Sequence, residues 1–244
     1  MDTYFPIFVF VTSYLLGSIS FARLVTYFFA PGESLEDIEF PVEGAEEGMR
    51  MEAMGGNTVS MKLGAKAGCA VGWLDILKVF VPTLVFRLLY PDQYFFLLAA
   101  IAGFIGHCWP IYYRFRGGRG ISAFYGGLLA FDPIGAIVVA LGGMFLGMVV
   151  LKELLVAYTG GVLLVIPWLW FTTHDLVYLA YALIINILFV LAMLPEIRQI
   201  RVFRRKYGKG DMKVSMEQFP MGRSMLKIMN FFSFRKQDEY SKGE

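Results

Sequence analysis

Residues 65–90 read AKAGCAVGWLDILKVFVPTLVFRLLY, and this stretch decides the fold class of the chain. An α-helix rises about 1.5 Å per residue, so a stretch of this length crosses a hydrocarbon core of roughly 30 Å. Comparable apolar stretches lie before and after it, at 4–29, 93–113, 134–151, 154–171 and 175–194. One more, at 121–131, is too short to span an ordinary bilayer upright. We interpret it as a half-length or tilted helix.

The composition is that of a membrane protein. Of the 244 residues, 57% are apolar and only 17% are charged, and the mean hydropathy is +0.59. Such a chain is too apolar to be disordered, and two cysteines, Cys69 and Cys108, are too few for a secreted disulfide scaffold. The basic residues lie beside apolar segments and form no basic domain, so we expect no nucleic-acid partner. We predict an all-α, polytopic integral membrane bundle of about seven transmembrane helices, one of them short.

The distribution of lysine and arginine predicts the orientation, because cytoplasmic loops retain these residues. With seven crossings and the N-terminus outside, the loops that hold Lys or Arg all fall on the inner side. The connections at 91–92, 132–133 and 172–175 then lie outside and hold none. We therefore expect the C-terminus to be cytoplasmic and the protein to be integral to the cytoplasmic membrane.

We assign residues 1–195 to a membrane domain that includes an acidic loop, residues 31–54. From Glu33 to Glu52 this loop has eight acidic residues and a single base, Arg50. Charge runs of this kind usually face water. We expect a solvated cytoplasmic loop with room for a short helix.

We assign residues 196–244 to a basic cytoplasmic tail, which holds 12 of the 22 Lys and Arg residues. Its first part, EIRQIRVFRRKY at 196–207, places apolar residues near one helical face with arginines around them. This pattern is typical of an amphipathic helix at a membrane surface, outside the active site, and a second such helix is predicted over 212–234.

Residues 114–122, RFRGGRGIS, combine three arginines and three glycines directly before an apolar helix. Glycines let backbone N–H groups approach an anion, the helix start adds a positive dipole, and guanidinium groups match phosphate oxygens. The alternative is a positive-inside loop whose glycines make a tight turn. The predicted phosphate ligands are Arg114, Arg116, Gly117, Gly118, Arg119 and Gly120.

Asp75 and Lys78 stand three residues apart in an otherwise apolar helix, so they share a face and neutralise each other. Ionisable residues inside a membrane segment are functional candidates. The alternative is a structural ion pair that fixes helix packing.

The polar segment GGNTVSMKLGAKAG, residues 55–68, precedes that helix and suits an anion or a polar substrate at the interface. Its candidate side chains include Asn57, Ser60 and Lys66. The alternative is an ordinary helix-capping loop.

His107 lies near the cytoplasmic end of its segment, about two turns from the arginine loop. It is a candidate catalyst, with a hydrogen-bonded packing residue as the alternative. Neither His107 nor His174 has neighbours at metal-ligand spacing, so we predict no metal and no cofactor.

Four stretches in this order resemble the PlsY family of acyl-phosphate:glycerol-3-phosphate acyltransferases. They are YLLGSISF (14–21), LGAKAG (63–68), LDILK (74–78) and GHCWPIYYRFRGGRGIS (106–122). The resemblance implies a monomeric membrane enzyme with its active site at the cytoplasmic leaflet, among membrane lipids. Such an enzyme transfers a fatty acyl group from acyl phosphate to glycerol 3-phosphate, which forms lysophosphatidic acid for phospholipid biosynthesis.

The resemblance also implies roles for single residues. Arg116 to Gly120 match the family's KGGKG phosphate loop, with arginine for lysine, and Lys66 joins the phosphate ligands. His107, Asn57 and Ser60 are implied catalytic residues. No acyl-enzyme nucleophile is evident, so we expect direct transfer, with His107 or a substrate phosphate oxygen taking the hydroxyl proton.

Two family motifs are altered in this chain. RMEAMGGNTVS, at 50–60, lacks the serine of the family's GSGN, and LPEIRQIRVFRRKYG, at 194–208, lacks the histidine and asparagine of the third motif. The alternatives are a non-catalytic relative that binds a phosphorylated lipid precursor and a transporter of a small phosphorylated solute.

Overall fold

The computed structural model describes residues 4–33, 35, 38–40, 49–51 and 54–208. Within them the chain forms helices and one short two-stranded ribbon. The helices are α1 (Phe5–Gly17), α2 (Phe21–Phe29), α3 (Gly56–Leu63), α4 (Ala65–Leu89), α5 (Phe95–Cys108), α6 (Ile121–Phe131), α7 (Pro133–Phe145), α8 (Leu154–Thr173) and α9 (Leu176–Tyr207). The strands are β1 (Ile38–Phe40) and β2 (Met49–Met51). A 3₁₀ turn at Ile111–Tyr113 follows α5, and a π-helical turn at Leu146–Val150 follows α7.

The described residues contain six helical stretches that are long and apolar enough to cross a membrane, together with the shorter apolar helix α6. Phe104 and Phe124 are fully buried between helices, whereas Leu88, Phe145 and Ile187 are exposed on the outside of the bundle. A bilayer makes such an apolar exterior stable. The chain is an integral membrane protein, and the predicted all-helical bundle of six long segments and one short segment is confirmed.

The first apolar stretch, expected to be one helix, is broken at residues 18–20. The Ser20 side chain caps α2 by accepting a hydrogen bond from the Arg23 backbone N–H at 3.5 Å. The break lies outside regular helix, so the Ile19 carbonyl is available to a side chain from another element. Lys78 Nζ donates to that carbonyl at 2.7 Å. The interruption therefore provides a polar partner for a charge inside the bundle.

Glycines let the helices around the arginine loop approach closely. A Cβ added at Gly17 would collide with the Gly103 carbonyl, and one at Gly106 with the Tyr14 carbonyl, where α1 meets α5. The same holds for Gly126 in α6, which packs against α4. Membrane helices associate through such small residues because lipid supplies no hydrophobic drive between them. Helices α1, α4, α5 and α6 thus form a close-packed frame below the loop.

At one end of the bundle, acidic side chains link the connections between helices by hydrogen bonds. Tyr94, before α5, donates a hydrogen bond from its hydroxyl to Asp175 Oδ2 at 2.5 Å, before α9. Trp168 Nε1, near the end of α8, donates to Asp132 Oδ2 at 2.7 Å, between α6 and α7. The connections α4–α5, α6–α7 and α8–α9 therefore lie together.

The opposite end holds the arginine loop and the basic last turn of α9. Arg204, in the last turn of α9, pairs with Glu153 before α8 at 2.8 Å. Arg119, before α6, pairs with Glu196 in α9. These connections that carry Lys or Arg thus share one end, as seven alternating crossings require. Helix α6 begins at this end and ends at the acidic one.

The acidic loop contains strands in its described part. β1 and β2 pair antiparallel, with Ile38 opposite Met51 and Glu39 opposite Arg50. The short helix that we expect could form in this loop is absent from these described residues. Antiparallel pairing satisfies their backbone groups instead.

The tail boundary that we drew at residue 196 falls inside α9. This helix runs for 32 residues, from Leu176 to Tyr207, through Pro195. The predicted helix at 196–207 is therefore present as a continuation of a membrane-spanning helix. The second predicted helix, at 212–234, lies outside the described residues.

Candidate active site

A cavity of about 310 Å³ lies at the arginine-bearing end of the bundle. One end of the cavity is polar and is lined by Asn57, Asp75, His107 and Arg119. The rest is bounded by small and apolar residues of α4, α6 and α8. This size is at the lower end of the range for small-molecule sites, and the lining is amphipathic.

Three buried ionisable side chains cluster at the polar end, and two of them, Asp75 and His107, line the cavity. Asp75 Oδ1 lies 2.8 Å from Lys78 Nζ and 3.7 Å from His107 Nδ1. Because Lys78 also donates to the Ile19 carbonyl, its charge is shared between two oxygens. The predicted Asp75–Lys78 pair is present, and it places a carboxylate near the imidazole without a hydrogen bond between them. The cluster therefore connects α1–α2, α4 and α5.

The arginine loop passes directly over His107. The Gly118 N–H donates to the His107 carbonyl at 3.0 Å, and a Cβ on Gly118 would collide with the imidazole Nε2. Gly120 has φ +88° and lies against Phe104, so it begins α6 in a conformation that favours glycine. These two glycines bring loop backbone and imidazole into contact at the cavity wall.

Other elements hold the loop from outside. The Met54 N–H donates to the Gly117 carbonyl at 3.2 Å, and Arg23 Nη1 donates to the Arg116 carbonyl at 2.9 Å. The Arg23 guanidinium also stacks 4.5 Å above the Tyr113 ring. The loop is therefore anchored to α2 and to the segment before α3.

Arg119 and Glu196 form an ion pair, with Nε and Oε2 2.5 Å apart. Burial lowers the pKa of the Arg119 guanidinium from its ordinary value, and the Glu196 charge acts in the opposite direction. The guanidinium stays charged, because arginine retains its proton in proteins. We had expected the tail to lie apart from the site, so Glu196 corrects that interpretation.

The structure brings part of the predicted site together. Asn57, Asp75, His107, Gly118, Arg119 and Gly120 line the cavity. Other predicted residues lie elsewhere. Ser60 is buried where α3 packs on Gly68, and Gly117 turns its carbonyl toward Met54. The side chains of Lys66, Arg114 and Arg116 are exposed, because their backbone positions face away from the cavity.

Sequence reasoning missed the apolar part of the cavity. Gly72, Trp73 and Ile76 of α4 line it together with Tyr158 of α8. Gly68, Gly72 and Ile76 recur every four residues, so helical spacing was the available signal. Trp73 is also 63% exposed, on a helix that spans the membrane. The cavity therefore reaches the lipid-facing side of α4.

No cluster of three His, Cys, Asp or Glu side chains that could hold a metal ion occurs in the described part of the chain.

Fold and cavity together define a polytopic membrane protein with an arginine-bearing site at one end of its bundle. The family model described as glycerol-3-phosphate acyltransferase matches residues 7–202. The chain belongs to this family, and the resemblance to the PlsY family is confirmed.

Individual relatives agree with this assignment. The glycerol-3-phosphate acyltransferase of Halalkalibacterium halodurans is 34% identical over 139 residues, a match that covers 55% of this chain and 62% of that relative. Glycerol-3-phosphate acyltransferase 3 of Dehalococcoides mccartyi (strain ATCC BAA-2266 / KCTC 15142 / 195) is 28% identical over 212 residues, which cover 79% and 90%.

Solved structures share the fold. PlsY (YgiH), an integral membrane glycerol 3-phosphate acyltransferase in its glycerol 3-phosphate form, superposes with a TM-score of 0.68 at 24% identity, covering 82% of this chain and 93% of that one. The lysophosphatidic acid form of the same protein gives a TM-score of 0.65.

Proposed function

We propose that the protein is a membrane acyltransferase that transfers a fatty acyl group from acyl phosphate to glycerol 3-phosphate, which forms lysophosphatidic acid for phospholipid biosynthesis. The observation that supports this most directly is the amphipathic cavity, which combines Arg119 and His107 with an apolar side toward the bilayer. Relatives named glycerol-3-phosphate acyltransferase support the same reaction.

The phosphate of glycerol 3-phosphate binds at Arg119 and at the start of α6. A charged guanidinium and free helix N–H groups both favour an anion there. Asn57, on the facing wall, is available to hydrogen-bond a hydroxyl group of the glycerol. Arg114 and Arg116, which are exposed, attract the anionic substrates to the mouth of the site.

The acyl phosphate binds with its anhydride at the polar end and its chain past Gly72 and Trp73 toward the lipid. This cavity is too small for a long chain together with glycerol 3-phosphate, so the end of the chain lies in the bilayer.

In the transfer step, the acceptor hydroxyl oxygen attacks the acyl carbonyl carbon. The bond between that carbon and the phosphate oxygen breaks, and inorganic phosphate leaves with the electron pair. His107 takes the hydroxyl proton, and the nearby Asp75 carboxylate stabilises the positive charge that the ring then carries. Positioning of two anions supplies most of the catalysis, because the donor is already activated.

The orientation we propose puts the arginine-bearing end in the cytoplasm and the N-terminus outside. The grouping of Lys and Arg connections at one end of the bundle supports it. We further propose that the protein works as a monomer in the cytoplasmic membrane, and that its membrane domain extends through α9 to Tyr207 before the basic tail.

The test uses the purified protein in lipid nanodiscs with hexadecanoyl phosphate and glycerol 3-phosphate. We expect equal amounts of lysophosphatidic acid and inorganic phosphate. Glycerol in place of glycerol 3-phosphate, and hexadecanoyl-coenzyme A in place of the acyl phosphate, are the matched controls and give no product. Binding of glycerol 3-phosphate without transfer indicates a non-catalytic protein, and uptake into vesicles without transfer indicates a transporter. Either result overturns the proposal.

A further inference from the structure

The Arg119–Glu196 pair lies where the loop of the site meets the end of α9. The two side chains are only 19% and 17% exposed. Arg119 lines the cavity, whereas Glu196 is not among the described residues that line it. The carboxylate therefore contacts the guanidinium from outside the space that a substrate would occupy.

The contact uses one nitrogen of the guanidinium. Glu196 Oε2 meets Nε, and an arginine side chain has five N–H donors, four of them on the two terminal nitrogens. Those terminal nitrogens form the fork that grips phosphate in a bidentate manner. A carboxylate beside Nε holds the guanidinium by charge attraction and leaves the two terminal nitrogens to a ligand.

We propose that Glu196 is a positioning residue that holds Arg119 in the orientation that binds the phosphate of the acceptor. This role rests on the proposed function. A long, flexible side chain loses rotamer freedom when it binds a ligand, and a fixed partner removes that cost beforehand.

Glu196 also carries a negative charge, which opposes the binding of an anion. Orientation and repulsion thus act in opposite directions on affinity for the acceptor. Glu196→Gln separates them, because the amide keeps the size and planar shape of the carboxylate beside Nε while the charge is gone. Glu196→Ala removes both.

A second ion pair provides the matched control. Glu153 and Arg204 join α9 to the start of α8 at 2.8 Å, and neither lines the cavity. Glu153→Ala loosens the same end of α9 without touching Arg119. It therefore reports what anchoring of α9 alone contributes.

The experiment measures kcat and KM for glycerol 3-phosphate and for hexadecanoyl phosphate in nanodiscs. For Glu196→Ala we expect KM for glycerol 3-phosphate to rise about tenfold, the cost of ordering one long side chain on binding, with kcat and the donor KM nearly unchanged. Glu196→Gln should stay within about threefold of the wild type, because an amide of the same size still packs beside the guanidinium and no longer repels the phosphate. Glu153→Ala should leave both KM values within about twofold, because Arg204 is nearly half exposed and neither partner lines the cavity.

The double variant Arg119→Ala/Glu196→Ala should match Arg119→Ala alone, because a positioning residue acts only through its partner. An unchanged or lower KM for Glu196→Ala overturns the proposal, as does an equal effect of Glu153→Ala or a multiplied effect in the double variant. Lack of transfer by the wild-type protein would instead refute the proposed function.

Discussion

Gly118→Ala tests whether the contact between the arginine loop and His107 controls catalysis. The φ angle of Gly118 lies outside the left-handed region, so the backbone accepts alanine. The new methyl group would collide with the imidazole of His107, which is 7% exposed and lies beside Asp75. The open space beside the ring is the cavity that it lines, so a ring pushed by the methyl group moves into the space for the substrate.

The size of the effect follows from this collision. To reach an ordinary contact of at least 3.4 Å, the ring or the loop must move by about 1 Å, a displacement that costs about 100-fold in rate at an active site. Overpacking of a tight interior also costs about 1–3 kcal/mol of stability. We therefore expect kcat to fall about 100-fold, while the protein still folds at low temperature.

The assay is the initial rate of lysophosphatidic acid formation in nanodiscs, with the thermal midpoint measured on the same samples. Gly72→Ala is the matched control, because Gly72 lines the same cavity and nothing lies within 4 Å of its added Cβ. This control should retain its rate within about threefold, since it disturbs no contact. A Gly118→Ala protein as active as Gly72→Ala would refute the reasoning.

Three further perturbations test other parts of the site. Arg119→Ala should weaken glycerol 3-phosphate binding by about 1.5–3 kcal/mol, measured by calorimetry. The same change should lower the thermal midpoint, because Glu196 loses its ion-pair partner. An unchanged affinity would exclude a phosphate site at Arg119. Asp75→Ala should destabilise the protein by about 3–5 kcal/mol by leaving the Lys78 charge buried without its carboxylate. A double change with Lys78→Met should recover part of this loss, and no recovery would contradict the pairing. Gly72→Leu should raise the KM for hexadecanoyl phosphate at least about tenfold by filling the cavity, with the KM for glycerol 3-phosphate unchanged. The same KM for hexadecanoyl phosphate in the variant and the wild type would exclude this route for the acyl chain.

The altered third motif of this chain has a physical counterpart in the structure. The stretch 194–208, which lacks the histidine and asparagine of that motif, contains Glu196, and Glu196 pairs with the loop arginine Arg119. A lysine, which the family pattern has in this loop, carries a single side-chain nitrogen. A carboxylate therefore cannot contact one nitrogen and leave others free for a phosphate, as it can with arginine. Arginine at 119 and glutamate at 196 are therefore chemically matched.

The sequence alone determined the membrane bundle. A hydrocarbon core requires apolar helices of about 20 residues whatever their partners, so each span is readable from its own stretch of chain. It also determined the local chemistry of the loop at 114–122, because glycine, arginine and a following helix act within a few residues of one another. The Asp75–Lys78 pair was readable for the same reason, since helical spacing places it on one face.

Only the tertiary structure decided which of these groups meet. The sequence does not show why the first apolar stretch breaks at residues 18–20. In the structure, Lys78 of another helix donates to the Ile19 carbonyl at this break. The contact of Gly118 with His107 and the pairing of Arg119 with Glu196 likewise join different elements. Helical periodicity reports which residues share a face, but not which face a neighbouring helix presents to it. Packing of small residues sets that choice, and packing depends on the whole bundle at once.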